Sequence, residues 1–264
     1  MIKKNTISRL GPIEAQIIAR LTYEAKTLVS TEDLDKLFKL SAVDRAKVVS
    51  RLKKKNILAP IKRGLYIFSP LEAGPAGRGI DEMLIPPLYL PKNNYYIGYS
   101  TMFNYYGFTE QIFQTMYVLN TSFNKKKTIC GISFKFLKIS ENRMYGIKTI
   151  KVKDRDVMIS DKERTLIDLL YFNKPVGGIS IASDTFKKIV QEKQCNIKRL
   201  IGYASKFPNV TIRKRIGVLL ESIGINELDL NPLLKSIKNT AISSLGKTRK
   251  GKINKKWRVI INAS

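Results

Sequence analysis

Apolar positions in the first 70 residues recur with helical spacing and are punctuated by start signals. Leu10, Ile13, Ile17, Ile18 and Leu21 follow Pro12, whose missing amide is harmless at a helix start, so they predict a first helix. Ser30 with Asp33, and Ser41 with Asp44, each have the spacing of a capping box, in which hydroxyl and carboxylate satisfy backbone amides at a helix start. They predict a second helix burying Leu34, Leu37 and Phe38, and a third running to about Asn56. At about 100° per residue, Ala42, Ala46, Val48, Val49 and Leu52 fall on one side of that third helix, and Asp44, Lys47, Arg51 and Lys54 on the other. Residues 57–60 and 65–68 (ILAP and LYIF) read as short strands joined by IKRG, where Gly64 can take a positive φ.

Three helices followed by a basic hairpin predict a winged helix-turn-helix over 1–70. Two prolines and three glycines fall between Ser69 and Gly79, which neither helix nor central strand accepts, and predict a linker over 71–82. From 83 to 264 the pattern changes. A short helix over 100–106 closes at Gly107, and strands follow at 114–120, 131–139, 147–153 and 157–159. Helices then follow at 161–172, 183–193, 196–206 and 209–223, and WRVIIN (257–262) is expected to add an edge strand to the same sheet. The fold class is therefore α+β: a winged module followed by a larger domain with a mostly antiparallel sheet and packed helices.

Charge narrows the function. The 264 residues carry 48 Lys and Arg against 21 Asp and Glu, a formal net charge of +27, which points to a polyanionic partner. Residues 1–75 hold 15 cations and 7 anions, and residues 235–264 hold 9 cations and no anion. No run of about 18 uncharged apolar residues could span a bilayer, and the first residues break at Gly11 and Pro12 before any apolar signal region forms. A cytoplasmic protein with no membrane partner is expected. There is no histidine, which removes Ser/His and Cys/His nucleophile pairs and every histidine metal site. Cys130 and Cys195 lie far apart and read as small buried hydrophobes.

Groove-reading helices need long cationic or amide side chains outward, because phosphates dominate affinity and guanine edges take bidentate arginine. Lys47, Ser50, Arg51, Lys54 and Lys55 on the third helix, with Lys62, Arg63 and Tyr66 on the hairpin, are the candidate DNA-binding residues. Other motifs have duller explanations. AISSLGKT (241–248) matches a relaxed phosphate-loop expression, but a basic run follows it instead of a helix, and GPAGRG (74–79) is too irregular for a dinucleotide loop. Asp154 and Asp156 read as a hairpin turn and Ser160 with Glu163 as a third capping box. The alternative is that Asp154, Asp156 and Glu163 bind a divalent cation in a metal-dependent nuclease delivered by the winged module. The aromatic cluster YYIGYSTMFNYYGF reads as core in preference to a base-stacking platform.

The order LGPIEAQIIARL, KVVSRLKKKNILAPIKRGLYIFSP, YYIGYSTMFNYYGFTEQIFQTMYVLN, GISFKF, VMISDKERTLIDLLY and KINKKWRVIIN resembles the AbiEi antitoxin family nearly end to end. That resemblance implies a type IV toxin-antitoxin protein that binds inverted repeats in its own promoter and represses its operon. It also implies a larger domain that counters an AbiEii-like nucleotidyltransferase toxin, often without a stable complex, and neither cofactor, metal nor catalytic residue. By analogy, the recognition-helix and wing positions are Lys47, Arg51, Lys54, Lys62 and Arg63. Members often carry a histidine before the glycine of the Tyr-rich helix, where this chain has Tyr106.

Overall fold

The computed structural model describes residues 10–71, 81–90, 94–153, 155–246 and 250–261. The chain divides into two compact units, 1–89 with 128–132, and 90–127 with 133–264. The stretch predicted as linker lies mostly outside the described residues, and 83–89, expected at the start of the second domain, falls with the first unit.

In the first unit the order is α1 (Pro12–Tyr23), β1 (Leu28–Ser30), α2 (Thr31–Phe38), α3 (Ala42–Lys54), β2 (Leu58–Lys62) and β3 (Leu65–Phe68). The strands form an antiparallel sheet in the order β1-β3-β2, which completes a winged helix-turn-helix. Its core joins Ile17, Ile18, Leu21, Val29, Leu34, Val48, Val49, Leu52, Ile57, Leu58 and Phe68. Two sequence expectations fail here. Leu10 and Ile13 are exposed, and the buried row of α1 runs Glu14, Ile17, Ile18, Leu21, so a carboxylate occupies the first core position. Ala42 and Ala46 are also exposed; α3 enters the core only at Val48, and of the residues before it only Arg45 is half-buried. A 3-10 turn (Glu82–Leu84) and α4 (Ile85–Tyr89) follow, α4 packing on β2.

The second unit, which takes β6 only up to Lys127 and β7 only from Ser133, is built on β4 (Tyr95–Ile97), α5 (Ser100–Tyr105), β5 (Thr115–Asn120), β6 (Lys125–Ile129), β7 (Ile132–Lys138), β8 (Ile147–Val152) and β9 (Arg155–Ser160). These strands make one sheet in the order β6-β7-β5-β4-β9-β8, with antiparallel β4–β5 and β8–β9 ladders and parallel β4–β9 and β5–β7 ladders. Then come α6 (Lys162–Tyr171), α7 (Ile179–Gln191), α8 (Ile197–Lys206), α9 (Val210–Ser222) and α10 (Glu227–Ser236). The periodicity of α10 is masked by Pro232, which lies inside the helix; burial of Leu230 and Leu233 against α8 and α9 overrides it. The terminal strand is corrected as well. β12 (Val259–Ile261) pairs with β10 (Ser243–Ser244) and β11 (Lys252–Asn254) in a small separate sheet, not with the main one.

Trp257 anchors that small sheet. Its ring is fully buried against α9, and its indole N–H donates to Glu221 Oε2 at 2.7 Å. Gly217 on α9 is the residue that makes room, since a Cβ there would sit 2.1 Å from the ring.

Candidate nucleic-acid interface

The interface is assembled on α3 and the β2–β3 hairpin. Ser41 caps α3 by accepting the Asp44 amide at 3.1 Å, while the Asp44 carboxylate takes the Ser41 hydroxyl at 2.7 Å. The Arg45 guanidinium pairs with Asp35 on α2 and links the two helices. Opposite the buried Val48, Val49 and Leu52, the side chains of Lys47, Ser50, Arg51 and Lys54 are exposed. The four residues that spacing assigns to the polar side, Asp44, Lys47, Arg51 and Lys54, are all exposed.

Lys62 is half-buried and Arg63 exposed at the hairpin tip. The turn is tight, because Lys62 still pairs with Leu65 and Gly64 closes the reversal at φ 76°. The Gly64 carbonyl accepts the Thr31 amide at 2.9 Å, so the tip is tied to the first residue of α2. A Cβ at Gly64 would lie 3.0 Å from Thr31 Oγ1.

The remaining two candidates turn inward. Tyr66 is half-buried and packs on the core of the unit. Lys55 reaches back to α1, its ammonium donating to Glu14 Oε2 at 2.5 Å. Glu14 is 2% exposed and is met by two hydrogen-bond donors on one oxygen, Lys55 and the Gly11 amide at 3.3 Å, and by the charge of Arg51, whose Nη1 lies 3.6 Å from Oε1. Burial pushes its carboxyl up, but the hydrogen bonds from Lys55 and Gly11 and the charge of Arg51 outweigh it and hold it below its ordinary 4.5. A carboxyl lowered by folding contributes stability that is complete above its unfolded value and lost as pH falls through its folded one. Acid titration of the winged unit, followed by thermal melts, should therefore show stability declining below about pH 4.5, with a shallower decline in Glu14→Gln. Equal slopes would remove Glu14 from the account.

The second unit contains a polar cluster that sequence reasoning missed. Arg164 and Asp168, one turn apart on α6, are both fully buried, and Arg164 Nε lies 3.2 Å from each Asp168 oxygen. Arg164 Nη1 donates to the carbonyls of Arg143 (2.8 Å) and Tyr145 (3.2 Å), and Nη2 to the Tyr96 hydroxyl (2.9 Å). Its guanidinium also stands 4.7 Å from the Tyr145 ring centroid. Burial drives the Asp168 carboxyl upward against the pull of Arg164 and Arg143, and pushes the Tyr99 phenol up to about 12. Tyr99 stands at φ 54°, a strained backbone for a non-glycine residue, with its ring stacked 4.5 Å from Phe172 and its hydroxyl accepting from Arg143 Nη2. The cluster ties α6 to β4 and to the segment leading into β8. The i, i+4 spacing of Arg164 and Asp168 was a readable signal, although on a helix it usually marks a solvated pair.

The acids considered for metal chemistry are dispersed. Asp154 lies outside the described residues. Asp156 stands in β9, exposed and 2.9 Å from Lys151, not in the turn. The cap of α6 is Asp161, whose carboxylate accepts the Arg164 amide at 2.8 Å, so the predicted box at Ser160 and Glu163 is shifted by one residue. Ser160 instead meets the Thr165 hydroxyl, and Glu163 accepts the Asn196 amide at 2.7 Å. Among the described residues, no three Cys, Asp or Glu side chains come together as a metal site. The phosphate-loop-like segment enters as the two-residue β10 and continues outside the described residues at Lys247 and Thr248; GPAGRG lies wholly outside them. The aromatic cluster is mainly core: Tyr95, Tyr96, Tyr99 and Phe103 are buried, and the Tyr106 hydroxyl donates to the Ser160 carbonyl at 2.8 Å.

No family model and no curated protein matches this chain. Among solved structures, it is similar to the RV2827C protein from Mycobacterium tuberculosis, with a TM-score of 0.63 and 12% identity, over 96% of this chain and 92% of that one. A likeness at that identity extends to the fold. Among the described residues, no helix is long and apolar enough to cross a membrane.

Proposed function

We propose that this protein is a cytoplasmic, sequence-specific DNA-binding repressor of its own operon, acting as the antitoxin of a type IV toxin-antitoxin pair. One observation carries the reading: the exposed row Lys47, Ser50, Arg51 and Lys54 lies opposite the buried side of a capped third helix, in the same small unit as a hairpin bearing Lys62 and Arg63. α3 enters the major groove, Arg51 reaches a base edge, and the lysines with the hairpin hold phosphates. The resemblance to AbiEi antitoxins supports assigning the second unit to neutralisation of a nucleotidyltransferase-like toxin.

Fluorescence anisotropy with the DNA upstream of the protein's own coding sequence tests the first half. Neutralising about six phosphates gives a slope near −5 for log affinity against log salt. Arg51→Ala is expected to weaken binding by about 1 to 3 kcal/mol, and Lys62→Ala to reduce the salt slope by about 1. Parent-like binding by both variants would reject the interface. For the second half, co-expression with the adjacent open reading frame should restore growth that the neighbour alone arrests; persistent arrest would remove the antitoxin role.

A further inference from the structure

We infer that Glu14 is a positioning residue for Arg51, fixing the direction in which its guanidinium meets DNA. The inference rests on the DNA-binding reading above and adds a residue that touches no DNA. Glu14 belongs to the buried row of α1, where an ionised carboxylate is costly unless every lone pair is used. Its two oxygens are used differently. Oε2 receives Lys55 Nζ at 2.5 Å and the Gly11 amide at 3.3 Å, which ties α3 and the start of α1 together. Oε1 faces Arg51 Nη1 at 3.6 Å.

Arg51 combines anchorage with exposure. Its side chain is 62% exposed, against 14% for Lys55, so one guanidinium nitrogen lies beside a fixed anion while most of the group stays open to solvent. A long side chain on a groove-facing helix otherwise samples many rotamers, and ordering them on binding costs affinity for every sequence alike. A buried anion beside the guanidinium narrows that sampling, while the 62% of the side chain that stays exposed keeps N–H groups available for a bidentate contact to guanine O6 and N7. The positive charges of Lys55 and Arg51 beside Glu14 offset the repulsion its carboxylate would exert on phosphates. Lys55 cannot replace Arg51 here, because its compact ammonium is already held on Oε2.

The test is the ratio of affinities for the protein's own upstream DNA and for a scrambled duplex of equal length and composition, with thermal melts confirming that each variant is folded at the assay temperature. Glu14→Gln keeps shape and removes the charge; the ratio is expected to fall roughly five- to tenfold while scrambled-DNA affinity stays near parent, since orientation matters to base reading and little to phosphate contact. Glu14→Asp, which keeps the charge and withdraws it by one methylene, should give an intermediate ratio and serves if Glu14→Gln does not fold. In an Arg51→Ala background neither change should alter the ratio further. A parent-like ratio in both variants, or an equal fall without Arg51, would overturn the inference while leaving DNA binding intact. A parent protein that does not distinguish the two duplexes would overturn the DNA-binding reading and this inference together.

Discussion

Arg164→Ala is expected to destabilise the second unit by about 3 to 5 kcal/mol, a large part of the stability of an ordinary domain. The loss comes mainly from what the substitution leaves behind. Asp168 would remain fully buried without its partner, and the Arg143 and Tyr145 carbonyls and the Tyr96 hydroxyl would each lose a donor in a site closed to water. Tyr96→Phe removes one of these bonds, leaves a single guanidinium N–H unpaired and should cost less, about 1.5 to 3 kcal/mol. Urea denaturation followed by tryptophan emission measures both, because Trp257 is the single tryptophan of the chain and shares a core cluster with Leu166, Ile167, Leu169 and Leu170 of α6. If the two variants lost similar stability, the cluster would not be acting as a charged network.

The second large effect is expected where the small sheet meets α9. Trp257→Ala should cost about 3 to 5 kcal/mol, since a fully buried ring is removed and a small terminal sheet cannot collapse to fill the space. The variant lacks the fluorophore, so far-ultraviolet circular dichroism during urea denaturation is the measurement. Gly217→Ala approaches the same contact from the other side. Its added methyl overlaps the ring, and a loss of about 1 to 3 kcal/mol with red-shifted Trp257 emission is expected. Parent-like emission in Gly217→Ala would mean that the tail is not seated on α9.

The local signals of the winged unit were legible because caps and turns act over three or four residues. Ser30 with Asp33, Ser41, Pro12 and Gly64 each do in the fold what their spacing implied. Signals that depend on what packs opposite were misread. Leu10 and Ile13 have the right period and are exposed, whereas Glu14, polar and unremarkable in sequence, is buried with Lys55 and Arg51 of the α3 segment beside it. Lys55 and Tyr66 were grouped with the exposed cations by position, and the fold turns one to a carboxylate and the other to the core. In the second unit the same distinction separates the correctly placed α6, α8 and α9 from α10, hidden by Pro232, and from β12, whose partners are β10 and β11.

The sequence by itself determined that this is an α+β chain with a strongly basic balance, a winged module at its beginning and strands before helices in the larger remainder. Those properties reside in periodicity, capping chemistry and charge, which need no distant contact to be expressed. Only the tertiary structure decided which cations remain available. Arg51 stays largely exposed above a buried anion, Lys55 is held on Glu14, and Arg164 disappears into the core with Asp168. The reason is that a charge is removed from water only when the rest of the chain supplies a partner, and that partner can lie one turn away, as for Arg164, or 41 residues away, as for Lys55.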